Sequence, residues 1–385
     1  MLFIKNGLIH MEKGEVFKGS IAVEGKAVLD VGADLLCPAD ADILDAEGKD
    51  IYPGFVLPLC NIGIRGDEVL RNKDDAEDSQ PINPQLDVRH SFDIRDLKIQ
   101  HMTRLGITSY GLSPGITPLI AGQMSLVGVD GDTIDDVMIA ESIAVKGNFT
   151  KTVMSVYSES RKMPTTRMGM FYLLDKAFTE TREYGEKEDK EFDMKNEALL
   201  PVIRGEKPFV VNAETLPDIE AVYELARKHK IRPVFVGAFS IDKCAKKIME
   251  AGYDVILGEF TYMFNYVYSD TDFSKLVDLY RDGLKLSLST NGDQGYPPAY
   301  DQIMWSAAMM RRGGATPDEV IDMMTVMPAR ALGVDGYVGS ISAGKRADLI
   351  ICSGNPADKY TNRIEYTIAA GKVYNNALGG EKTCC

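Results

Sequence analysis

The chain has 385 residues, of which 45% are hydrophobic and 26% charged, and its formal net charge is −14. These are the proportions of a globular protein, long enough to bury a sizeable core without cross-links. Its acidity repels phosphate backbones and anionic lipid, which argues against nucleic acid and membrane surfaces as partners.

The opening stretch MLFIKNGLIHMEKGE has no basic n-region and no long apolar run, so no secretory leader is expected. No run of eighteen uninterrupted apolar residues follows, so no membrane span is expected either. The first fifty residues read as short strands. Leu2–Lys5 leads into Asn6-Gly7, a hairpin signal. Ser20–Glu24 turns at Gly25-Lys26 into Ala27–Val31, and Ile43–Asp45 precedes Glu47-Gly48. The charged run Arg182–Asp193 reads as a solvated helix or loop.

From there strands and helices alternate. Phe209–Val211 is a short apolar strand. Pro217–Lys230 places Ile219, Val222, Tyr223 and Ala226 on one helical face. Pro233–Val236 is the next strand, and Ile241–Ala251 is a helix with Cys244, Ala245 and Ile248 on one side, closed by Gly252. Asp254–Leu257, Phe273–Arg281 and Leu284–Leu288 continue the pattern as strand, helix and strand. Apolar strands that alternate with amphipathic helices predict a parallel sheet covered on both faces. Over this length a (β/α)8 barrel from about residue 54 to 330 accounts for the pattern. A doubly wound open sheet is the competing architecture, but no G-x-G-x-x-G follows a strand.

The last fifty residues return to β, with Ala347–Cys352, Glu365–Ala369 and Lys372–Tyr374 separated by Gly354-Asn355-Pro356 and Gly371-Lys372. The expected organisation is α/β: a TIM-type barrel inserted into a small β-sandwich domain built from residues 1–53 and 331–376, with a tail at 377–385. The cysteines Cys37, Cys60, Cys244, Cys352, Cys384 and Cys385 show no C-x-x-C spacing. That usage fits a reducing compartment, with the cytoplasm as the expectation, and argues against a structural zinc knuckle.

Three groups of residues resemble the amidohydrolase superfamily. One is Ile51-Tyr52-Pro53-Gly54-Phe55-Val56, where the first sheet hands over to the barrel. Another is the ordered C-terminal series Pro328-Ala329-Arg330-Ala331-Leu332-Gly333, Gly339-Ser340-Ile341, Gly344-Lys345, Ala347-Asp348-Leu349-Ile350 and Gly354-Asn355-Pro356. The third is Lys162-Met163-Pro164-Thr165-Thr166-Arg167-Met168-Gly169-Met170, with Pro114-Gly115 and Ile120-Ala121-Gly122-Gln123 upstream. It resembles the imidazolonepropionase-like and Xaa-Pro-dipeptidase-like branch. The resemblance implies hydrolysis of amide or other C–N bonds by a metal, usually zinc, that acidifies a bound water. Imidazoles and a carboxylate at the C-terminal ends of barrel strands would hold the metal, and an aspartate on the last strand would carry the proton.

This sequence departs from that pattern at each position. Where the family has His-x-His after the first strand stand Leu59 and Asn61, and Leu57 replaces the preceding aspartate. Asn212-Ala213-Glu214 stands for His-Ala-His, and Val236-Gly237-Ala238 for Glu-His-Gly. The last strand ends Ser289-Thr290-Asn291-Gly292-Asp293, which puts Asn291 at the catalytic aspartate, or Asp293 if the alignment slips. The histidines are His10, His90, His101 and His229, and none is placed at a strand end.

Cys60, Asn61, Asn212, Glu214 and Asp293 are then expected to face the barrel mouth as polar lining. Arg167, beside Thr165 and Thr166, is positioned either to hold a ligand carboxylate or to tie down a loop. Tyr296-Pro297-Pro298 is expected to shape a loop over the mouth. The expectation is a non-hydrolytic small-molecule-binding protein or partner subunit, as a homo-oligomer or paired with an active relative, with no cofactor. The alternative is a C–N hydrolase with a rebuilt or metal-independent site, where a divalent metal such as zinc would return.

Overall fold

The computed structural model of the protein describes residues 1–64, 74–258, 271–290 and 302–376. Asn291, Asp293, Tyr296-Pro297-Pro298 and the Cys384-Cys385 tail lie outside the described residues.

The N-terminal strands are β1 (Leu2–His10), β2 (Val16–Glu24), β3 (Ala27–Gly32), β4 (Asp42–Asp45) and β5 (Asp50–Pro53). Asn6-Gly7 does not make the expected hairpin. β1 runs through it with a bulge, and its register with β2 shifts between Ile4 and Gly7. Asn6 takes the left-handed conformation (φ 58°). A Cβ on Gly7 would stand 2.2 Å from Ile51 Cδ1, so the glycine is there for close packing. The chain reverses later, where Met11 N–H donates to the Glu15 carbonyl. The turn at Gly25-Lys26 does form, pairing Glu24 with Ala27.

Eight strands build the barrel: β6 (Phe55–Cys60), β7 (Ile107–Leu112), β8 (Ile120–Gly128), β9 (Met138–Asn148), β10 (Phe209–Ala213), β11 (Pro233–Gly237), β12 (Asp254–Gly258) and β13 (Lys285–Ser289). They pair in chain order, and β13 comes back alongside β6 to close the barrel nearly completely. One strand departs from the expected all-parallel sheet. β8 runs antiparallel to both β7 and β9, whereas the other ladders are parallel. The reason is the connections. The connections on either side of β8 hold no helix but the four-residue Ile134–Val137, and a parallel crossover needs a dozen or more residues. After β9 the helices return, with Arg167–Glu186 before β10, Leu216–His229 after β10 and Phe273–Arg281 after β12. The helix read at Ile241–Ala251 is split into a 3-10 turn (Ile241–Lys243) and Ala245–Glu250 by the extended φ of Cys244.

The barrel interior is apolar. Val56, Leu59, Met124, Ala144, Val210, Val236 and Ile256 pack there with Ala329 and Leu332 of the helix Val326–Leu332. The C-terminal strands β14 (Leu349–Cys352), β15 (Ile364–Ala369) and β16 (Lys372–Asn375) join β1–β5 in one sheet, in the order β16-β15-β14-β5-β1-β2-β3. β4 and β5 both pair with β1, against different halves of it. The two chain ends thus share a core of Ile4, Ile9, Ile21, Ile51, Leu349, Ile351 and Ile368.

The handover motifs have physical causes. A Cβ on Gly54 would stand 2.3 Å from Thr108 Oγ1, so β6 can enter beside β7 only with a glycine there. Gly339 has φ +90° and lies against the Thr325 carbonyl. Asp348 is buried and accepts from Arg346 Nε at 3.0 Å and from the Ala370 amide at 2.8 Å. No helix among the described residues is long and apolar enough to cross a membrane.

Candidate functional site

The site begins with a residue that sequence reading passed over. β9 is an eleven-residue strand that enters the barrel wall as a mostly apolar run and carries Lys146 near its C-terminal end. Its side chain is 1% exposed. Nζ donates to the Gly147 carbonyl at 2.7 Å, to Asn148 Oδ1 at 2.5 Å and to Asn212 Oδ1 at 2.9 Å. All three acceptors are uncharged.

Neighbouring strands hold these acceptors in place. Asn148 and Asn212 face each other across the β9–β10 ladder. Asn148 Nδ2 donates to the carbonyls of Gly115 (3.2 Å) and Pro118 (2.7 Å), which turns its oxygen toward the lysine. The Asn212 carbonyl accepts from the Phe149 amide at 2.7 Å. Burial with no charged partner pulls the Lys146 amine down from its ordinary 10.5 to about 7.

A small cavity of about 30 Å³ opens beside the amine, lined by Leu59, Cys60, Asn61, Ser113, Pro114, Gly115, Ile116, Lys146 and Asn212. Leu59 closes its inner side as the top of the apolar barrel filling. Asn61 Nδ2 donates to Asp75 Oδ2 at 3.2 Å, and the Asp75 carbonyl accepts from the Gly115 amide. Asp75 therefore joins the β6 end to the loop after β7, a connection the sequence did not announce. Cys60 is buried and forms no disulfide among the described residues.

Of the residues singled out from sequence, Leu59, Cys60, Asn61 and Asn212 meet around this cavity. Glu214 and Gly237 are placed together instead, since a Cβ on Gly237 would lie 3.4 Å from Glu214 Cγ. Burial and the nearby Asp218 raise the Glu214 carboxyl above its usual range, against the opposing pull of Lys151. Arg167 opens the helix Arg167–Glu186, and its Nε donates to Asp218 Oδ1 at 2.6 Å. The Asp218 side chain is 2% exposed. The arginine thus ties one helix start to another, and it does not line the cavity.

The histidines are elsewhere. His10 Nε2 lies 2.6 Å from Asp50 and its ring stacks on Tyr52 at 4.0 Å. His229 is buried with Nε2 2.7 Å from Asp175. His101 is on the helix Leu97–Arg104, and His90 lies in the 3-10 turn Val88–Ser91. Among the described residues no group of three or more His, Cys, Asp and Glu side chains is placed to hold a metal ion.

A nearly closed eight-stranded α/β barrel, carried by a sheet made from both chain ends and with polar residues at strand ends, defines a TIM-type barrel protein. Residues 176–380, more than half of the chain, match the model of the Amidohydrolase family. The chain belongs to that family.

An amidohydrolase from Thermotoga maritima MSB8 superposes with a TM-score of 0.88 at 27% identity, over 96% of this chain and 98% of that one. The imidazolonepropionase of Symbiobacterium thermophilum is 21% identical over 351 residues, 82% of this chain and 77% of the relative. An N-substituted formamide deformylase of Arthrobacter pascens is 38% identical over 111 residues. That match spans 26% of this chain and only a fifth (20%) of the relative's own length.

Proposed function

We propose that this chain is a non-hydrolytic, small-molecule-binding member of the amidohydrolase family whose mouth is organised around Lys146 instead of a metal. The observation that carries the reading is the donor set at the strand ends. Leu59 and Gly237 offer no side-chain donor, and the amides of Asn61 and Asn212 are poor zinc ligands. Asn212 is moreover committed through its oxygen to Lys146. A buried lysine in the wall also opposes a second cation beside it. The described residues do not fit the zinc that the family implies, and no hydrolytic step is derived through it.

A second reading, a C–N hydrolase with a rebuilt or metal-independent site, has one observation in its favour. Glu214 sits near a strand end with its carboxyl raised by burial, as a general acid would need. Pairing with an active relative, or with a second copy, is compatible with either reading.

The test is to purify the full chain with zinc, manganese or cobalt supplied, measure bound metal, and assay amide, dipeptide and lactam hydrolysis. The expected result is less than stoichiometric metal and no turnover. Stoichiometric metal with turnover abolished by Glu214→Ala or Asp293→Ala would overturn the proposal in favour of a rebuilt metal site. Metal-free turnover lost in Glu214→Gln would overturn it in favour of a metal-independent hydrolase.

A further inference from the structure

A second cavity, of about 150 Å³, lies between the sheet of the two chain ends and the barrel helix Pro317–Met324. Its floor is buried and is made by Tyr52, Pro53, Ile321, Thr325 and Val326. Val16, Thr316 and Asp318 stand exposed at its rim. Pro53 lies just before β6 enters the barrel, whereas Cys60 ends that strand, roughly 20 Å further along an extended chain. The cavity is therefore separate from the one beside Lys146. A void of this volume in a protein interior takes up benzene, so a body of about six heavy atoms fits.

The wall is acidic, with Glu12, Asp318, Glu319 and Asp322 all in it. Three of these carboxylates have partners of their own. Glu12 is bonded to Arg330. Glu319 accepts from Arg281 Nε at 2.8 Å and from the Thr316 amide at 2.7 Å. Asp318 accepts from Asn355 Nδ2 at 2.9 Å. His10, also in the wall, is taken up by Asp50. Asp322 is half-buried and has no hydrogen-bonded partner among the described residues. Burial, with Asp318 and Glu12 near it, pushes its carboxyl up to about 6 against the pull of Arg330, so at neutral pH it is still mostly ionised. An ionised carboxylate partly withdrawn from water and left unpaired is destabilising, and a bound cation would remove that cost.

We propose that this cavity binds a small primary ammonium ion with an apolar body, its charged end held by Asp322 and its carbon body on Tyr52, Ile321 and Val326. Charge selects the cation, because an anion would meet four carboxylates in the wall. The floor selects the apolar body, because its side chains are carbon apart from the tyrosine and threonine hydroxyls. A bare metal ion fits neither feature. It would leave that floor uncovered, and it needs several oxygen donors where three of the four carboxylates are already engaged. The ammonium group, with three N–H donors, can bond the unpaired carboxylate directly.

The experiment is calorimetric titration of the full-length protein with benzylamine, benzyl alcohol and benzoate, which share a ring and differ in charge. One benzylamine should bind per chain, about tenfold more tightly than benzyl alcohol, and benzoate should not bind. Asp322→Asn should remove the preference, weakening benzylamine about tenfold and leaving benzyl alcohol within about twofold. Val16→Trp, at a rim position that is 44% exposed, narrows the entrance and should weaken both ligands. It locates the site even if Asp322→Asn fails to fold. Equal binding of amine and alcohol would make the cavity an apolar void and overturn the proposal, as would no binding of the amine. Benzylamine binding that neither variant changes would put the amine elsewhere and overturn it too. None of these results bears on the barrel mouth, which shares no lining residue with this cavity.

Discussion

Replacing Lys146 by Met removes the amine and keeps most of the side-chain volume. The effect on stability should depend on pH in a direction the burial fixes. The folded-state amine titrates at about 7 and the unfolded one near 10.5. Between those values the unfolded chain binds the extra proton and the folded chain does not. The stability of the wild type should therefore be lowest below pH 7 and rise with pH toward 10.5.

Each pH unit in that window contributes at most ~1.4 kcal/mol. The three oxygens around Nζ favour the charged form and reduce the slope, so about 1–3 kcal/mol is expected between pH 7 and 9. The Met variant lacks this term and leaves three acceptors without a donor. Urea unfolding of both proteins from pH 6 to 9 measures the difference, and titrations common to both cancel. The gap should widen with pH, with Met falling further behind. A gap constant over this range would refute the reasoning: the amine would then be charged throughout, stabilised by its three acceptors.

Arg167→Ala should cost about 1–3 kcal/mol in urea unfolding, because the buried Asp218 carboxylate keeps only its bonds to Thr215, and a cost near zero would show that this ion pair does not tie the two helix starts together. Gly54→Ala should destabilise by about 1–3 kcal/mol through its contact with Thr108, measured by thermal melting, and a neutral result would show that β6 and β7 can separate at no cost. Glu214 is a carboxyl raised by burial, so the folded chain holds its proton longer than the unfolded one and stability falls as pH rises through that range. Glu214→Gln should flatten this fall, seen as a smaller loss of melting temperature than in wild type as pH rises out of the ordinary carboxylate range.

The elements that sequence made legible are those whose pattern is local. The helix face of Ile219, Val222 and Ala226 appears as Leu216–His229, and the strand at Pro233 appears as Pro233–Gly237. The family motifs were legible because each encodes a tight backbone approach, as at Gly54 and Gly339. What failed depends on partners far along the chain. β8 reads IAGQMSLVG and is buried along its whole length, and a strand buried on both faces carries no sign of its direction. Asn6-Gly7 has the residues of a turn, but Ile51 packs against it and holds the strand straight. Arg167 was undecided from sequence because Asp218 lies 51 residues on. Lys146 was missed although its signal was present: one lysine in step with Ala144 and Asn148, on the face of β9 that turns into the barrel.

The substitutions at the strand ends and the buried lysine also explain each other. A mouth that holds a divalent cation needs anionic or strongly donating walls, and one that holds an ammonium cannot easily have a second cation close by. Among the described residues the side chains that line the cavity are neutral apart from Lys146, with the Asp75 carboxylate behind Asn61, and the apolar filling reaches it through Leu59. The net charge of −14 does not cancel this, because exposed carboxylates act across water and are screened within about 8 Å at physiological salt. Among the described lining residues Lys146 is the one amine, with the amides of Asn61 and Asn212 on the same wall. An incidental polar lining would not require Asn148 and Asn212 to be held so firmly around one amine, Asn148 through the Gly115 and Pro118 carbonyls and Asn212 across the β9–β10 ladder.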